Sequence, residues 1–139
     1  MAEVALIRND ARFSRQSGII HPDLASAQVL VGGVGMLGSW TALALARCVA
    51  HVSVFDPDVV EDVNSGNQAY NGRQLGLPKG EALEQLLTGL PLSSTHSRFP
   101  IEKEPGALLP FELEGRKLVV MSGADSFAVR ADLANYARH

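Results

Sequence analysis

The sequence predicts an α/β fold, a parallel sheet of strand order 3-2-1-4 with flanking helices and an N-terminal helix outside the core. Three observations predict it. Short apolar runs alternate with longer helical stretches, the pattern of parallel strands joined by right-handed helical crossovers. The first such run, Gln28-Val29-Leu30-Val31, passes at once into glycines that open a helix. The second run ends in an acid, Asp56, placed 18 positions after Gly38.

The elements follow in order. Val4 to Gly18 reads as a helix that precedes the sheet, with residues 1–27 forming an N-terminal segment and 28–139 the core of a single domain. Gln28 to Val31 is apolar enough for a strand buried on both faces. Met36 to Val49 reads as a helix, and Leu37, Ala42, Leu43, Leu45 and Ala46 give it an almost all-round buried character. His51 to Phe55 is the second strand, stopped by Asp56-Pro57-Asp58. The polar, Asn- and Gly-rich stretch from Val59 to Pro78 reads as a functional loop. Lys79 to Leu90 is amphipathic, with Ala82, Leu83, Leu86, Leu87 and Leu90 on one face. Ser94 to Phe99 is an edge-like third strand, and Pro100 to Pro110 is irregular. Lys117 to Met121 is the fourth strand and Ser126 to Arg138 the closing helix.

Bulk properties narrow the function. At 139 residues the chain makes one domain with a continuous core. A net charge of -3 leaves no basic footprint, so nucleic acid is not an expected partner. No segment reaches the ~18 apolar residues of a membrane span, and the N-terminus has no signal-peptide pattern. Cys48 is the single cysteine, which excludes an internal disulfide and a cysteine-based zinc site and suits a cytoplasmic setting. On an apolar helix it reads as a small core residue. The four histidines show no ligand spacing, and Trp40 reads as core or as an inter-subunit contact.

The glycine segment carries the chemistry. In Gly33-Val34-Gly35-Met36-Leu37-Gly38, each glycine has a separate reason. Gly33 permits the tight turn, Gly35 lets backbone approach a phosphate, and Gly38 lets helix and strand pack closely. The helix start then offers free N–H groups and a positive dipole end to an anion. With Asp56 where a ribose hydroxyl is read, the arrangement is that of a Rossmann-like nucleotide site.

Further segments specify which one. They are Arg12-Phe13-Ser14-Arg15-Gln16, Asp56-Pro57-Asp58-Val59-Val60-Glu61 with Asn64 and Gln68, Gly76-Leu77-Pro78-Lys79, and Ala124-Asp125 through Arg130. In register with the glycine loop, they resemble the ThiF/MoeB/ubiquitin-activating-enzyme superfamily from Arg12 to the end of the chain. The resemblance implies binding of ATP with Mg2+ and adenylation of the C-terminal carboxylate of a ubiquitin-like or sulfur-carrier protein. It implies that Gly33, Gly35 and Gly38 cradle phosphates, that Asp56 holds the ribose with Asp58, Asn64 and Gln68 in the same network, and that Lys79 neutralises phosphate. Asp125 would hold magnesium. Arg15 would reach the nucleotide of a partner subunit, in a homodimer or a heterodimer with a related chain. Positioned cations and a metal would supply most of the catalysis, since the substrate carboxylate is itself the nucleophile.

Two departures bear on activity. Where the family has an arginine before the glutamine, this sequence has Asn67, with Arg73 nearby on the same loop but at a different spacing. The residues also end at His139, so the expectation is a domain without the second half of the family fold and without its catalytic cysteine. A sheet ending at its fourth strand has an open edge, expected to be covered by a second copy or another chain. Three readings follow: an ATP-dependent adenylating enzyme or part of one; a non-catalytic half of a dimeric activating complex; and an NAD-binding oxidoreductase domain. The second is weakened by the retention of Asp56, Lys79 and Asp125, and the third leaves Arg15, Lys79 and Asp125 unexplained.

Overall fold

The computed structural model describes residues 15, 18–19, 27–96, 118–125 and 127–136. The expected N-terminal helix, apart from Arg15 and Gly18, and the irregular segment 100–110 lie outside the described residues. The described elements are β1 (Gln28–Gly32), α1 (Met36–Leu45), β2 (His51–Phe55), α2 (Lys79–Leu86), β3 (Leu92–Thr95), β4 (Leu118–Ser122) and α3 (Phe127–Tyr136). Two 3-10 turns, Asp62–Gly66 and Gly72–Gln74, interrupt the crossover between β2 and α2.

The strands form one parallel sheet in the order β3-β2-β1-β4, as the alternation of elements predicts. β1 and β2 are buried at every position, the mark of central strands covered on both faces. On one face Val29, Val31, Val52 and Val54 pack with Ala42 of α1, with Ala46 just after it, and with Ala82 and Leu83 of α2. On the other, Leu133 of α3 lies against β1 at Gly32, where a Cβ would come within 2.6 Å of Leu133 Cδ1.

Several boundaries differ from expectation. β3 begins two residues early, at Leu92 instead of Ser94, because it pairs in register with β2 from Val52↔Leu92 to Phe55↔Thr95 and Leu92 packs on the core. Residues 97–99 lie outside the described range. α1 stops at Leu45, four residues before Val49: the chain tightens through Arg47 N–H to Ala44 and Cys48 N–H to Leu45, and Val49 turns into the core. Nor is α1 buried all round, since Met36, Leu37 and Trp40 are 60%, 66% and 56% exposed. Its apolar composition hides a one-sided helix whose inner face is the small residues Gly38, Ser39 and Ala42. α2 ends at Leu86, and Gly89 at φ +86 turns the chain toward β3. Its expected face holds: Ala82, Leu83 and Leu87 are buried, and Leu86 and Leu90 pack on the same cluster. Cys48 is free and half-buried against that cluster. No helix among the described residues is long and apolar enough to cross a membrane.

Candidate functional site

At the carboxyl ends of β1 and β4 the strand order reverses, which opens the crevice where parallel α/β sheets receive ligands. The glycine loop and the segment after β4 form its walls. Gly33 sits at φ +89, a conformation that disfavours any side chain, and a Cβ there would stand 2.8 Å from the Ala124 nitrogen. Gly38 leaves no room for a Cβ against the Gly33 carbonyl, and Gly123 is packed against the same carbonyl and Gly38. Three glycines thus let loop, helix and the β4 end share one contact. Gly35 is different: its added Cβ would meet only Gln68 Nε2, at 3.9 Å, so the space beside it is open.

Among the described residues, no side chain caps the amino end of α1. Gly35 is its N-cap, and no acid stands in the first turn. Such an end presents backbone N–H groups to an anion. Gln68 reaches the same region through its Nε2, and its Oε1 is buried without a hydrogen-bond partner. Buried polar groups are ordinarily paired. An open cradle, an uncapped helix end and an orphaned acceptor together suit a nucleotide, which brings both anionic oxygens and donors.

Asp56 lies under the loop, 4% exposed. Its Oδ2 accepts from the Val34 N–H at 2.8 Å and its Oδ1 from the Asp58 N–H at 2.8 Å. Each oxygen keeps a further lone pair. Asp58 is outward, with a side chain 67% exposed, and its Oδ2 stands 3.6 Å from Lys79 Nζ. Lys79 is itself 7% exposed, at the first position of α2, where the helix dipole disfavours a cation. The nearby Asp58 carboxylate offsets that, and the Lys79 N–H donates to the Asp58 carbonyl at 3.0 Å.

The crossover places the rest. Asn64 Oδ1 accepts from the Glu61 N–H at 2.7 Å, and the Asn64 carbonyl accepts from Gln68 N–H, so Asn64 shapes the turn that presents Gln68. Asn67 is exposed, and its carbonyl accepts the Trp40 indole N–H at 3.0 Å. Trp40 therefore is not core, correcting one of its two expected places. Arg73 is exposed on the second 3-10 turn. Asp125 is exposed at the end of β4, one residue beyond the Ala124 that Gly33 touches. Among the described residues no group of three His, Cys, Asp or Glu could hold a metal by itself. A lone carboxylate still suits Mg2+, which takes phosphate oxygens and water as its other ligands. Arg15 is exposed.

Two supports escaped the sequence. Tyr70, 3% exposed, donates its phenol O–H to the Val34 carbonyl at 2.6 Å, and Ser39, fully buried, accepts from the Ala69 N–H at 3.1 Å. An aromatic in an otherwise polar, glycine-rich loop was the available signal. Gly123 also was unmarked, because its partner Gly33 is remote in sequence.

The ThiF family model matches residues 11–139. The chain belongs to the ThiF family. Among solved structures, this ThiF-family chain is similar to E. coli tRNA N6-threonylcarbamoyladenosine dehydratase, TcdA, at 24% identity and TM-score 0.69, over 92% of this chain and 55% of that one. The same enzyme in complex with ATP matches at 25% identity and TM-score 0.68, again over 92% and 55%. E. coli MccB, solved with succinimide, matches at 18% identity and TM-score 0.67, over 89% and 40%, a likeness of fold. The ThiF-family chain spans about half the length of the structures it matches. No curated protein matches it.

Proposed function

We propose that this ThiF-family domain binds ATP with Mg2+ and takes part in adenylating a carboxylate, that of a ubiquitin-like or sulfur-carrier protein. The observation that carries the reading is the uncapped amino end of α1 beside Gln68, whose Oε1 is buried without a partner. In this reading the α1 amides and Lys79 receive phosphate, Asp125 takes the magnesium ion, and Asp56 and Asp58 face the ribose. The TcdA complex with ATP supports a nucleotide in a fold of this kind. The reaction joins a substrate carboxylate oxygen to the α-phosphorus while the bond from that phosphorus to pyrophosphate breaks. The chain's own groups are then required to bind, orient and neutralise charge, and no side-chain nucleophile is needed.

A second reading has one observation in its favour. At the family's arginine position stands Asn67, which offers no cation. In that reading the domain is the non-catalytic half of a dimer and contributes Arg15 to its partner's site. Calorimetric titration with ATP plus Mg2+, and separately with NAD, tests the proposal. ATP is expected to bind and NAD not, and Lys79→Met to weaken ATP by on the order of tenfold to a hundredfold, the worth of a charge-assisted hydrogen bond. Binding of NAD in place of ATP, or unchanged affinity in Lys79→Met, overturns the assignment. ATP binding without pyrophosphate release on any carboxylate partner moves the domain to the second reading.

A further inference from the structure

The crossover segment from Glu61 to Tyr70 is fastened to the glycine loop and α1 at three points. Tyr70 Oη donates to the Val34 carbonyl at 2.6 Å, the Ala69 N–H donates to Ser39 Oγ at 3.1 Å, and the Trp40 indole donates to the Asn67 carbonyl at 3.0 Å. The first lies in the interior, since Tyr70 is 3% exposed and Val34 0% exposed, and the second is part-buried, with Ser39 itself 0% exposed. Burial, and then the Asp56 carboxylate, push the Tyr70 phenol well above the ordinary phenol range, so it remains a neutral donor. Val34 is thereby held by both of its main-chain groups, its N–H on Asp56 Oδ2 and its carbonyl on Tyr70 Oη.

This double hold matters because Val34 stands between two glycines. Gly33 and Gly35 have no side chains to anchor them, and glycine-flanked backbone has the most conformational freedom to lose. A phosphate site works when its N–H donors are fixed before the anion arrives. The same crossover segment carries Gln68, whose Nε2 lies nearest the open side of Gly35 and whose Oε1 is buried without a partner. Resting on the ATP-binding reading above, we infer that Tyr70 and Ser39 are positioning residues of the nucleotide site, latching the crossover segment onto the glycine loop so that the loop amides and Gln68 stand ready for phosphate.

The test uses Tyr70→Phe, which removes one oxygen and keeps the ring, in the full chain. Affinities for ATP with Mg2+ and for adenosine are measured side by side, with hydrogen exchange at residues 33–38 as a nucleotide-free readout. ATP affinity is expected to fall about tenfold, the worth of one buried hydrogen bond, with adenosine affinity little changed. Exchange at the loop amides is expected to quicken, and the fluorescence of Trp40, the only tryptophan in the sequence, to shift as the crossover loosens. Ser39→Ala should give the same pattern and stands in if thermal unfolding shows that Tyr70→Phe does not fold. Equal weakening of ATP and adenosine, or unchanged ATP affinity in both variants, overturns the latch and leaves ATP binding intact. A wild-type chain that binds no ATP overturns the ATP reading and the latch together.

Discussion

At the scale of single residues, the site is built by backbone groups as much as by side chains. Gly33, Gly38 and Gly123 are required where the loop, α1 and the β4 end share space too small for a Cβ. Asp56 serves first as an internal brace, with one backbone N–H on each carboxylate oxygen. Away from the crevice, His51 opens β2 with its Nε2 2.8 Å from Ser93 Oγ, and burial lowers its pKa from 6.5 to about 4. Between those two values the unfolded chain binds a proton that the folded chain does not. Stability is therefore complete above pH 6.5 and declines as pH falls toward 4, by at most roughly 3 kcal/mol. Denaturant unfolding at pH 7.5 and pH 4.5 measures this, and His51→Gln should flatten the difference. An unchanged slope in that variant means another group carries the acid sensitivity.

At the scale of elements, small residues decide how closely helices approach the sheet. α2 lies over β3 at Gly80, where an added Cβ would collide with the Ser94 Cβ and reach its Oγ at 3.0 Å. Glycine inside a helix costs about 1 kcal/mol relative to alanine, so propensity alone favours Gly80→Ala. The contact outweighs it, because a Cβ fixed to a strand cannot swing away as a long side chain would, and overpacking costs about 1–3 kcal/mol. Gly80→Ala is thus expected to lower the melting temperature, and Ser94→Gly in the same chain to recover part of the loss. A Gly80→Ala variant more stable than wild type would mean that α2 shifts freely on β3.

At the scale of the whole molecule, the outward face of α1 is unusual. Met36, Leu37 and Trp40 are all more than half exposed, on the helix that starts at the glycine loop. β4 is an edge of the sheet among the described residues, with Val119 41% exposed. Exposed apolar groups in number mark a contact surface, and an open parallel edge invites cover. We therefore expect a dimer, in which an exposed Arg15 is free to serve a neighbouring site. Sedimentation velocity at micromolar concentration checks it: a dimer weakened by Trp40→Ser is expected, and a sharp monomer in wild type defeats the idea.

The fold was legible because its signals are local and repeated. Apolar runs as short as Gln28 to Val31, separated by helical stretches, admit few parallel arrangements, and right-handed crossovers leave the order 3-2-1-4. Gly33, Gly35 and Gly38 announced the loop because glycine in that spacing answers local demands of turn and close approach. What tertiary structure decided was long-range. The register with β2 placed β3 at Leu92, two residues before the start expected at Ser94. One-sided packing exposed Leu37 and Trp40 on a helix that composition had marked as buried. Tyr70 reaches Val34 across 36 positions, and Asp56 reaches it across 22. Hydrogen bonds between segments so far apart leave no periodic trace along a chain, so local pattern located the glycine loop and only the folded chain showed what holds it still.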